Sequence, residues 1–169
     1  MGFAELLPEL NQAFFETLYM VGIATLVAII IGMPLGILLY VTDAGLILEN
    51  KFIRVVAGTI TNLIRSIPFI ILLVFLIPFT RFLLGTNIGP SAAAVPLSVA
   101  AIPYFARMVE SSAREIDRGV IEAAISVGAS PWTIIKEIIL PEARPGIIAG
   151  LTIVIISLVG YSAMAGTVG

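Results

Sequence analysis

From Thr17 to Thr42 the chain carries no charged residue. About twenty residues suffice for a helix to cross the hydrocarbon layer, so this stretch predicts a membrane span over residues 17–42. Three more segments qualify, over about 55–80, 84–106 and 146–168, with a polar stretch of about 107–145 between the last two. Composition agrees: 59% of residues are hydrophobic and 12% charged, with mean hydropathy +1.12, outside the range of soluble domains. The expected fold is an all-α integral membrane protein, a polytopic helix bundle forming one domain over 1–169.

The same inventory narrows function. A net charge of −2 offers no electrostatic partner such as nucleic acid. Cysteine is absent, so there is no disulfide or thiol chemistry; histidine is absent too, which removes the usual general base and the commonest metal ligand. Ser157, Ser162 and Tyr161 exist in the last span, but no intramembrane acid or lysine stands ready to activate them, which argues against an intramembrane enzyme. No glycine-rich phosphate loop of the Walker type occurs, so any ATP that drives this chain must be bound by another.

Residues 1–16 hold Glu5, Glu9 and Glu16 and no basic residue, unlike the basic start of a cleavable signal. In the first span Pro34 predicts a bend, and Gly32 and Gly36 have the spacing of close helix packing, although an apolar segment rich in glycine produces that spacing equally well. Pro68 and Pro78 make a straight second span unlikely in the sense of P-interrupted helices generally. Arg65 either faces a wet cavity or snorkels from a helix end, and the second is expected because the apolar run starts only after it. Gly85, Asn87, Gly89 and Pro90 signal a turn into the third span, in which Pro96 and Pro103 are tolerated bends. Lys51, Arg54, Arg107, Arg114, Arg118, Lys136 and Arg144 gather in the first and third loops, so the positive-inside rule puts the amino terminus outside and the long loop in the cytoplasm.

The most specific stretch is EAAISVGASPWTIIKEIILP, from Glu122 to Pro141. Its local physics predicts two short helices around a turn. Ile121, Ala124 and Ile125 share one face of the first, Gly128 takes a left-handed end, and Ser130 caps the second with Pro131 at its first position. Ile134, Ile135, Ile138 and Ile139 follow at helical spacing, and Pro141 stops the helix. Glu122, Ala123, Ala124, Gly128, Ile138, Leu140 and Pro141 together resemble the EAA loop of permease subunits in bacterial type I ABC importers. Further stretches are similar to the methionine-importer branch of that family: LLYVTDAG (38–45), RSIPFIILLVFLIPFTR (65–81), ARMVE (106–110) and LVGYSAMAGTVG (158–169).

The resemblance implies a homodimeric permease in the bacterial cytoplasmic membrane, driven by two ATPase subunits that hold ATP and Mg, and fed by an extracytoplasmic binding protein. This chain would supply no catalysis and no cofactor site. Its 122–141 loop, with Ser130, Pro131 and Trp132 at the turn, would dock on the ATPase and couple nucleotide-driven closure to alternating access. The implied cargo is methionine, D or L, with another small amino acid or peptide-like solute as the alternative and an ATP-independent channel or scaffold as a third reading. Tyr161, Ser162 and Met164 are candidates for the translocation path or gate, with ordinary packing the competing role. Family members continue into a fifth span, so the chain ending at Gly169 is expected to be a truncated form.

Overall fold

The computed structural model describes residues 3–166, with side chains from Leu6 onward; residues 167 and 168 of the expected fourth span lie outside that range. The elements are α1 (Phe3–Val27), a π turn (Ala28–Gly32), α2 (Met33–Val41), α3 (Lys51–Ser66), α4 (Phe69–Leu84), α5 (Pro90–Arg114), α6 (Arg118–Ser126), α7 (Pro131–Ile134), a second π turn (Ile135–Ile139) and α8 (Leu140–Ala165). Among the described residues, three helical rods are long and apolar enough to cross a membrane, and a bent pair makes a fourth if counted as one span.

α5 is the axis of the bundle. It touches α1, α2, α3, α4 and α8, and Leu97, Ala101, Phe105, Val109 and Ala113 are buried along it. Glycines let two neighbours approach. A Cβ on Gly32 would stand 2.8 Å from the Ile102 carbonyl oxygen, and one on Gly36 would stand 2.4 Å from that of Ala106. On the α8 side a Cβ on Gly146 would meet Ser112 Oγ at 2.6 Å and one on Gly150 would meet Met108 Cβ at 2.6 Å. Both small-xxx-small pairs are therefore packing surfaces, and of the two readings open for Gly32 and Gly36 the close-packing one is correct.

Several boundaries differ from the sequence expectation, each for a physical reason. The helix that carries the first expected span is longer than 17–42: helical backbone is continuous from Phe3 to Val41, as one rod. Pro34 does not break it, because the π turn ahead of the proline widens the coil where the ring would meet the preceding carbonyl. The same device passes Pro141. The Leu140 amide bonds the Ile135 carbonyl five residues back, so the expected stop is absent and the rod runs from Pro131 to Ala165.

The second span is not one helix over 55–80. α3 and α4 meet at 108°, because Pro68 forces Ile67 into extended backbone (ψ 124°) and ends α3 at Ser66. The third helix runs past Ala106 to Arg114, since its charges fall on one another at helical spacing. Glu110 accepts from Arg107 at 2.5 Å and from Arg114 at 2.8 Å. Arg114 also reaches Asp43 at 2.7 Å, Arg54 pairs with the same carboxylate, and Arg107 donates to Asn62 at 2.9 Å. These pairs tie the α2–α3 loop and α3 to one end of α5.

Candidate functional site

The segment after α5 folds into a compact knuckle whose every end is closed. Asp117 caps α6 by accepting from the Gly119 amide at 2.8 Å, a start signal the sequence reading passed over. The far end is a Schellman turn: Gly128 sits at φ +80°, its amide bonds the Ile125 carbonyl at 2.9 Å, and the Ala129 amide bonds that of Ala124 at 3.0 Å. A left-handed residue is required there, and glycine supplies it without a Cβ penalty. Ser130 then caps α7, accepting from the Thr133 amide at 3.2 Å, and Pro131 takes the first turn, where its missing donor costs nothing.

Burial sorts the knuckle into an anchor and a face. Ile121, Ala124, Ile134 and Ile139 are buried, and Ile135, Ile138 and Leu140 are partly so. Ile125 was expected beside Ile121 and Ala124; it is instead 48% exposed, on the outward side of α6. Val127 at 84% and Trp132 at 71% are exposed as well, as are Glu122, Ala123, Ser130 and Pro131. Pro141 is exposed on the rod beyond. The turn thus offers an aromatic and an aliphatic side chain outside the bundle.

The path candidates separate. Tyr161 is partly buried and stacks on Phe69, ring centroids 4.6 Å apart and planes within 9°. It lines a cavity of about 220 Å³ at the α3–α4 break, together with Arg65, Ile67, Leu72 and Tyr104. Ser162 points into the packing instead, 4% exposed, with its hydroxyl donating to the Val159 carbonyl at 2.8 Å. Met164 is 46% exposed and does not line that cavity. Arg65, expected at a helix end, lies in the last turn of α3, exposed, with its guanidinium over the Tyr104 ring at 5.8 Å. Tyr104 is ten residues before the end of α5 at Arg114, about 15 Å along the helix.

Similarity to known proteins accords with this architecture. Residues 32–169 match the family described as binding-protein-dependent transport system inner membrane component. The chain is 53% identical over 154 residues to the probable D-methionine transport system permease protein MetI of Pasteurella multocida, covering 91% of this chain and 71% of that protein. Against the D-methionine transport system permease protein MetI of Escherichia coli K12 the identity is 50% over 157 residues, covering 93% and 72%. Among solved structures, an inward-facing MetNI methionine ABC transporter superposes with a TM-score of 0.96 at 48% identity, over all of this chain and 78% of the other. An amino acid ABC transporter crystallised with histidines shares the fold, with a TM-score of 0.75 at 22% identity. The chain belongs to the binding-protein-dependent transport system inner membrane component family.

Proposed function

We propose that this chain is the non-catalytic permease subunit of an ATP-driven importer that carries methionine, D or L, across the bacterial cytoplasmic membrane. The observation that carries the reading is the knuckle between α6 and α7, a capped, rigid turn with Val127 and Trp132 exposed at 84% and 71%. The named permease relatives at 50% and 53% identity supply the cargo.

In this reading the knuckle docks on a cytoplasmic ATPase that holds ATP and Mg, with Glu122, Ala123, Ala124, Gly128, Ser130, Pro131, Trp132, Ile138, Leu140 and Pro141 as the coupling segment. Two copies of the permease face each other, and an extracytoplasmic binding protein delivers the substrate. The rod from Pro131 to Ala165 joins the docking turn to the Tyr161 cavity without a break, so a push at one end tilts the wall at the other. That is the mechanical requirement of alternating access. The amino terminus lies outside. Asp43, Arg54, Arg107, Glu110 and Arg114 cluster at the end of α5 that leads into the knuckle, and the basic surplus there favours the cytoplasmic side.

The test is uptake of labelled methionine by proteoliposomes holding the whole transporter, the binding protein and internal ATP. Gly128→Asp is expected to insert in the membrane and fail to import. Import at the normal rate by that variant would remove the coupling role, and import without ATP would make the protein a channel. Competition by other amino acids, with methionine ineffective, would replace the cargo.

A further inference from the structure

The structure assigns a role to Arg65 that its helix position alone does not suggest: we propose that it binds the carboxylate of the amino acid in transit. The inference rests on the importer reading above and names the chemistry of its binding cavity. Arg65 lines the cavity of about 220 Å³ with Ile64, Phe69, Leu72, Tyr104 and Tyr161. Among the described residues it is the only charged group on that wall.

Its charge is uncompensated. Arg54, Arg107 and Arg114 each pair with Asp43 or Glu110, whereas among the described residues no carboxylate lies within ion-pairing distance of Arg65. A lone guanidinium about 15 Å from the end of α5 is costly if it meets hydrocarbon. It belongs against water or an anion, and a cavity opens beside it. The Tyr104 ring holds one face of the guanidinium at 5.8 Å, which leaves its edge for a planar, two-oxygen partner, the geometry a carboxylate matches. The second wall reinforces the sign. α4 begins at Phe69 with no side-chain cap, so the positive end of its dipole lies where Ile67 and Phe69 border the same cavity.

The remaining surface fits the rest of such a molecule. Tyr161 and the buried Phe69, stacked at 4.6 Å, make one side of the cavity aromatic, and Ile64 and Leu72 are aliphatic. Aromatic rings accept both a thioether and an ammonium group. The cavity therefore selects a small zwitterion with its carboxylate on Arg65 and an apolar or sulfur-bearing side chain along the rings.

Because the chain has no cysteine, Ala100→Cys on the cavity lining gives a single reporter in the permease of the complete transporter. Its reaction rates with an anionic and a cationic methanethiosulfonate are compared, each normalised to a free thiol. With Arg65 present the anionic reagent is expected to be favoured by about tenfold, a preference that Arg65→Gln abolishes. Millimolar methionine should slow labelling, methioninamide should not, and Arg65→Gln should remove the protection while Arg65→Lys restores part of it. Rate ratios report only on folded, reactive protein, so a lower yield of a variant does not blur them. No charge preference, or equal protection by methionine and its amide, overturns the proposal; a carboxylate from another subunit resting on Arg65 would produce the former. Intact protection in a transporter that never imports methionine with ATP would instead sink the importer reading and leave the carboxylate site standing.

Discussion

Replacing Gly36 by alanine adds a single methyl group, and the packing of α5 determines what it does. The new Cβ would stand 2.4 Å from the Ala106 carbonyl oxygen and 2.6 Å from Val109 Cβ, against 3.4–4 Å for ordinary contact. The shortfall is about 1 Å. Neither atom can rotate away, since one is backbone and the other is fixed to it, so α2 and α5 must part. A gap of that size forfeits a quarter to a half of each local dispersion contact, at about 0.1–0.2 kcal/mol per atom pair. Over a few tens of pairs the loss reaches about 1–3 kcal/mol, the usual cost of overpacking. Alanine returns up to about 1 kcal/mol of helix propensity, which leaves a net destabilisation of up to about 2 kcal/mol. Gly22→Ala on the same rod is the control: nothing lies within 4 Å of its Cβ, so only the propensity gain of about 0.5–1 kcal/mol remains. Reversible unfolding of purified protein in mixed micelles with rising dodecyl sulfate, followed by circular dichroism, reads both. Opposite signs are expected. If the two variants shift together, or Gly36→Ala is the more stable, the glycine is not a packing device.

Glu110 is 5% exposed and bridges Arg107 and Arg114. Glu110→Ala takes away one partner of each guanidinium, leaving Arg114 on Asp43 and Arg107 on Asn62, and should cost about 1–3 kcal/mol in the same assay, with Glu110→Gln intermediate; a neutral result would mean that the remaining partners and water already serve them. Gly128 at φ +80° has nothing within 4 Å of its Cβ, so Gly128→Ala should cost about 1–2 kcal/mol from backbone strain alone. Gly128→Asn should cost less than Gly128→Val, and the reverse order would refute the left-handed cap. Tyr161→Ala removes the Phe69 stack and should destabilise by about 0.5–1.5 kcal/mol beyond the buried area it loses. Tyr161→Phe should melt as the native chain does.

Apolar length and charge spacing are sufficient to read most of the bundle. The local chemistry of Ser130, Pro131 and Gly128 reads the knuckle almost to the hydrogen bond, because caps and left-handed turns are decided within four or five residues. What stayed hidden depends on neighbours. Pro34 looks like a bend and Pro141 like a stop until a π turn is placed ahead of each. Arg107, Glu110 and Arg114 look like the start of a loop until they pair along one helix face and with Asp43. Arg65 reads as an end-of-helix charge and stands in the last turn of α3, but its place against Tyr104 is set by the 108° break, a tertiary fact. Ser162 and Met164 share a helix with Tyr161, but successive side chains point about 100° apart, so Tyr161 lines the cavity while Ser162 is packed and Met164 is exposed. Spacing alone does not say which residue of the three faces the cavity.

The central claim is that an exposed turn on this permease is the handle through which a separate ATPase moves the bundle. Trp132→Cys, 71% exposed in a chain with no other cysteine, carries a photoactivatable crosslinker to that surface in membranes where permease and ATPase are made together. The account predicts a crosslinked species containing the ATPase, in a yield that changes between ATP-bound and nucleotide-free states. Crosslinks that go only to lipid or to a second permease, in both states, would contradict it.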